Sequence, residues 1–84
     1  SIENPNTRSA YLRAWREFAA WADGAGVSLA ALQPYHVAAY REALGKRFHA
    51  RSVKLHLSAI RRLCDTLVVD QVLPFNPASS VKSP

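Results

Sequence analysis

Apolar residues return along this chain every three or four positions in three separate stretches, the spacing that gathers side chains on one face of an α-helix. In the first, from Arg8 to about Asp23, Tyr11, Leu12, Trp15, Phe18, Ala19 and Ala22 form the stripe, with Ser9, Arg13, Arg16 and Glu17 opposite. Residues 1–6 are polar and interrupted by Pro5, so Asn6 or Thr7 is expected to cap the amides that follow. Gly24 and Gly26 supply the positive φ that ends a helix at low steric cost.

Leu29 and Leu32 in the connection that follows are expected to dip into the core. A second helix is predicted from Pro34, well suited to a first helical position, to about Lys46, with Val37, Tyr40 and Leu44 inward and His36 and Glu42 outward. The third runs to about Val69, capped by Ser52 or His49, and its stripe is Val53, Leu57, Ile60, Cys64 and Leu67. Asn76 is a plausible cap for a last short helical turn starting at Pro77. Val68, Val69 and Val72 make too short a β-branched cluster for a strand, and Asp70 breaks it. The pattern therefore predicts an all-α domain over residues 1–84, with about 79–84 as the start of a linker.

Composition adds that the domain folds unaided. Two Trp, three Tyr and three Phe in 84 residues suffice for one small core without disulfide or metal. Cys64 is the only cysteine, which excludes an internal disulfide and points to a reducing cytoplasm. No apolar run approaches the roughly 20 residues that span a bilayer, so a membrane-spanning protein is not expected.

Charge changes the picture more. Eleven Lys and Arg against six Asp and Glu leave a net charge of +5 and favour an anionic partner. Lys46, Arg47, Arg51, Lys54, Arg61 and Arg62 come with no acidic residue between them, and Arg51, Lys54, Ser58, Arg61, Arg62 and Asp65 share about a third of a turn of the third helix. Such a face suits a DNA major groove, where arginine bridges phosphates or reads guanine, and equally suits plain solvation. A second basic stripe on the first helix, Arg13 and Arg16 with Arg8, favours DNA.

Other chemistry is thin. His36, His49 and His56 lack the spacing of a helical metal pair, and no Cys, Asp or Glu completes a ligand set, so no metal is expected. His56 reads as a packing residue or a phosphate donor. Cys64 lies on the apolar stripe as a small buried thiol, and no Arg-His constellation surrounds Tyr35 to make a nucleophile. Trp21 lies off the centre of its stripe, which leaves room for a rival reading as a helical protein–protein interaction module. Attachment to a membrane surface by a basic amphipathic helix ranks last, because the core needs the apolar stripes.

The order of segments resembles the core-binding domain of tyrosine recombinases and phage integrases. Asn6-Thr7-Arg8-Ser9-Ala10-Tyr11 ahead of Trp15, Phe18 and Trp21 is similar to that family's opening helix. Leu32-Gln33-Pro34-Tyr35-His36-Val37 with Tyr40 resembles its second helix, although Gln33 stands in the place of a usual Thr. The segment from Ala50 to Arg61 resembles the His-Leu-Ser-Ala-Ile-Arg core, with His49 where a hydroxyl residue often caps. Leu73-Pro74-Phe75-Asn76-Pro77-Ala78 and Val81-Lys82-Ser83-Pro84 resemble the Asn-Pro-Ala turn and the linker into a catalytic domain.

The resemblance implies a compact orthogonal four-helix bundle of SAM-like type, two crossed helical hairpins. It also implies that the domain holds double-stranded DNA for integration and recombination carried out by a catalytic domain beyond Pro84. It implies no catalytic residue in this chain, no cofactor, a monomer in isolation, and other recombinase protomers as partners at full length. Carried over by position, the DNA contacts would be Arg13 and Arg16 on the first helix and Arg51, Lys54, Ser58, Arg61 and Arg62 on the third. The basic clusters add Arg8 and Arg47.

Overall fold

In the structure, a computed structural model, residues 4–84 are described; residues 1–3 of the expected polar lead lie outside the described residues. Three α-helices follow in order: α1 (Pro5–Gly24), α2 (Pro34–Arg47) and α3 (Ala50–Val69), with a single 3₁₀ turn, Leu29–Ala31, between the first two.

The start of α1 corrects the expectation by two to three residues. The cap is Asn4, not Asn6 or Thr7, and its side-chain oxygen accepts from the Asn6 amide at 2.9 Å. Pro5 is the reason: its ring presets a helical φ and it has no N–H to satisfy, so it opens the helix rather than interrupting it. At the other end Gly24 stays helical while Gly26 takes φ 73°. The Val27 amide then reaches back to the Ala22 carbonyl at 2.9 Å, a Schellman closure. α3 closes in the same way with no glycine. Gln71 adopts φ 62°, and the Val72 amide donates to the Leu67 carbonyl at 2.8 Å.

At the start of α2 the backbone N–H of Gln33 donates to Nδ1 of His36 at 2.9 Å, so His36 works as a cap rather than only facing outward. At α3 the cap position falls to His49, whose side chain makes no capping bond.

One core cluster joins all three helices. Phe18 of α1, Val37, Tyr40 and Leu44 of α2, and Val53, Leu57, Ile60 and Cys64 of α3 meet in it, closed by Leu32, Leu73, Ala78 and Val81. α3 is the central element, packed against both α1 and α2. The stripes of α2 and α3 are those expected. On α1 the buried line is Ala14, Phe18 and Ala22, while Leu12 and Ala19 face solvent. The radius of gyration is 12.1 Å, close to the roughly 12 Å of a chain this long folded on one core.

The four-helix count is not met among the described residues, because the fourth element expected from Pro77 is a run of turns over 77–80. Its carbonyls are diverted. Arg61 of α3 donates to the carbonyls of Ala78 and Val81 and to Oγ of Ser83, and Nε of Arg41 in α2 donates to the Lys82 carbonyl at 2.7 Å. Asn76 does cap, its Oδ1 accepting from the Ala78 amide at 2.8 Å, but it caps a turn. The stretch expected to open a linker is therefore bound to the helical body at Val81, Lys82 and Ser83.

Candidate nucleic-acid interface

α1 and α3 approach closely where their facing residues are small: Ala14 and Ala59 are both fully buried. Nε1 of Trp15 donates to the Ala59 carbonyl at 2.6 Å and pins the crossing. Beside this contact a shallow cleft of about 250 Å³ opens between the two helices, lined by Ala10, Arg13, Ala14 and Glu17 on one side and Phe48, Ser52, Leu55 and His56 on the other.

Several basic residues lie on the faces of α1 and α3 that flank this cleft. Arg13 lines it, and Arg16 lies about 60° further round α1, away from it. On α3, Leu55, Arg62, Arg51, Ser58 and Lys54 succeed one another over about 100° of the helix circumference, starting from the cleft. Arg13, Arg16, Arg51, Lys54 and Arg62 are exposed, and their side chains make no ion pair or hydrogen bond among the described residues. Ser58 is half-buried between them. Arg8 is exposed too, about 140° around α1 from Arg13.

Arg61 and Arg47 have other work. Arg61 is half-buried, its guanidinium spent on the C-terminal turns. Arg47 pairs with Glu17 at 3.3 Å and lies 4.7 Å from the centre of the Phe48 ring, a cation–π contact. Asp65, the acidic residue within the basic sector of α3, is engaged as well: its carboxylate accepts from Nδ2 of Asn76 at 2.7 Å.

Below the cleft sits His56, 7 % exposed, its ring stacked on Phe48 and its Nδ1 without a hydrogen-bond partner among the described residues. Burial holds its pKa below the usual histidine value. Glu17 works against this, while Arg47 and Arg13 reinforce it. It reads as the packing residue of the two roles expected. Burial also pushes the Cys64 thiol up to about 11, which leaves it protonated and inert at neutral pH. Trp21, the anchor of the interaction-module reading, is half-buried against the Phe18 and Tyr40 rings.

Sequence reasoning missed two features of the surface. Leu55 stands exposed among the cations, which its position off the apolar stripe of α3 was enough to signal. The arginine strap over the C-terminal turns had no such signal, because its partners are backbone carbonyls 17 and 20 residues from Arg61.

Helices without a strand among the described residues, on one core, with a buried thiol and no described helix long and apolar enough to cross a membrane, define a small all-α domain. Its family follows from comparison: the family model for the phage integrase N-terminal SAM-like domain matches residues 3–71, and the chain belongs to that family. The matched domain is the N-terminal one of integrases, not their catalytic domain. The match ends at Gln71, so the strapped turns lie outside it. No curated protein and no solved structure gives a significant match.

Proposed function

We propose that this chain is the DNA-holding domain of a site-specific tyrosine recombinase or integrase, with residues 1–84 acting as one unit joined to a catalytic domain. The observation that carries this reading is that Arg13 at the α1–α3 cleft, Arg16 beside it on α1, and Arg51, Lys54 and Arg62 in one sector of α3 next to the cleft are exposed cations whose side chains have no partner among the described residues. Cations this close raise one another's energy until an anion is supplied, and the phosphates of a duplex supply it without desolvating a carboxylate. Family membership favours the same partner. Arg47 and Arg61 serve the fold and contribute little to the interface, and Arg8 lies at its margin. The interaction-module reading loses its anchor, since Trp21 is held within the aromatic cluster.

Neutralising about four phosphates gives a log–log slope of affinity against salt near −3 to −4, with affinity in the non-specific range of about 10⁻⁴ to 10⁻⁶ M. Fluorescence anisotropy of a labelled duplex at several salt concentrations measures both. Arg51→Ala is expected to make the slope shallower by about one. A salt-independent titration, or no binding at low salt, would sink the proposal.

A further inference from the structure

Leu55 is 39 % exposed at the cleft-side edge of the cationic sector of α3. Arg51, Leu55, Ser58 and Arg62 follow at intervals of four, three and four, which places them in one line along the outer face of α3. That line runs about 16 Å from Arg51 to Arg62 at 1.5 Å per residue, against a major groove about 12 Å wide. End cations with this separation reach phosphates on both walls of a groove, and the residues between them lie over its floor. Leu55 also borders the α1–α3 cleft, whose opposite wall includes the half-buried side chain of Ala10.

On the groove floor the four bases offer donors and acceptors, and thymine alone adds a methyl group. A leucine has nothing to give a donor or an acceptor and covers whichever it meets at a cost. Next to a methyl it removes apolar surface on both partners from water. We propose that Leu55 makes α3 a thymine-selective reader of the major groove, seating the base's 5-methyl between its own side chain and Ala10 across the cleft. This inference rests on the DNA-binding reading and adds to it a residue that selects sequence, where the cations only hold the backbone.

The test starts from duplexes enriched by the full 84-residue chain from a randomised pool at low salt. Affinity for the enriched duplex is then compared with that for the same duplex carrying deoxyuridine in place of every thymine, a change that deletes only methyl groups. The wild-type chain is expected to lose about four-fold for each methyl it seats. Leu55→Ala is expected to bind the two duplexes alike, and so is Leu55→Gln, which keeps a good helix former at the position; circular dichroism checks that each variant is folded. A wild-type chain indifferent to the methyl groups, a pool that shows no thymine enrichment, or a four-fold loss that persists in both variants overturns the role of Leu55 while leaving DNA binding standing. Absence of binding to any duplex overturns the functional reading itself.

Discussion

Two buried polar groups carry most of what single residues decide in this domain. Tyr40 lies within the aromatic cluster of Phe18 and Trp21 with its hydroxyl unpartnered among the described residues, and burial, with Glu17 adding to it, pushes its pKa up to about 12. An unmet buried hydroxyl costs on the order of 1–3 kcal/mol, so Tyr40→Phe is expected to leave stability unchanged or raise it by about 1 kcal/mol. Urea denaturation measures this, and a clear loss of stability would mean that the hydroxyl finds a partner in solution.

His56 gives the domain its pH dependence. Its pKa in the folded state lies below the unfolded value of about 6.5, so the unfolded chain takes up the proton first. The stability due to the neutral ring is complete above that value and is lost as the pH falls through the folded pKa. Thermal unfolding at pH 8, 7, 6 and 5 is expected to show a falling midpoint toward acid, and His56→Leu to flatten the fall. Parallel curves for the two proteins would assign the acid sensitivity to other groups. The position of His56 on the inner side of α3 was readable from its wheel, but the partner it lacks depends on what α1 and Phe48 bring against it.

At the scale of the elements, the stripes of α2 and α3 were legible because Val37, Tyr40, Leu44 and Val53, Leu57, Ile60, Cys64 repeat with the helix and bury as they repeat. α1 was less so. Its apolar residues spread over more of the circumference than one neighbour covers, and packing chose Ala14 over Leu12 because two alanines let α1 and α3 close to hydrogen-bonding distance at Trp15. The last element was legible only as punctuation: Asn76-Pro77 marks a turn, yet whether a helix follows depends on where its carbonyls find donors. Arg61 supplies them. Arg61→Ala is therefore expected to cost about 2 kcal/mol by unfastening the turns from α3, and to leave the salt slope of DNA binding where it is. Arg51→Ala is expected to do the reverse, leaving stability within about 0.5 kcal/mol. Chemical denaturation paired with salt titration separates the two arginines, and equal effects would refute the division of labour.

The whole molecule shows what the net charge of +5 does when most of its carboxylates lie elsewhere. Glu17 is paired with Arg47, and Asp65 accepts from the neutral Asn76 amide and keeps its charge within the basic sector of α3, while the side chains of Arg13, Arg16, Arg51, Lys54 and Arg62 have no ion-pair partner among the described residues. Folding brings these charges together, so screening is expected to stabilise the folded chain: raising salt from about 0.01 to 0.15 M shortens the screening length from about 30 to 8 Å and should raise the unfolding midpoint by a few degrees. A short duplex at low salt is expected to do the same by binding the folded state alone. Midpoints that ignore both would show that the cations do not act as a group.

The three helices to within a few residues, the core stripes of α2 and α3, the inert thiol and the basic sector of α3 followed from the chain itself, because each rests on interactions between residues three or four apart and on the preferences of Pro, Gly and Asn for particular backbone angles. Which arginines remain available did not. Arg47 meets Glu17 across 30 residues, Arg61 meets Ala78 across 17, and Trp15 meets Ala59 across 44. Such pairs exist only after the apolar faces have closed, since burying those faces sets the angle and separation of the helices, and that geometry decides which charged ends meet a partner and which are left to face an anion.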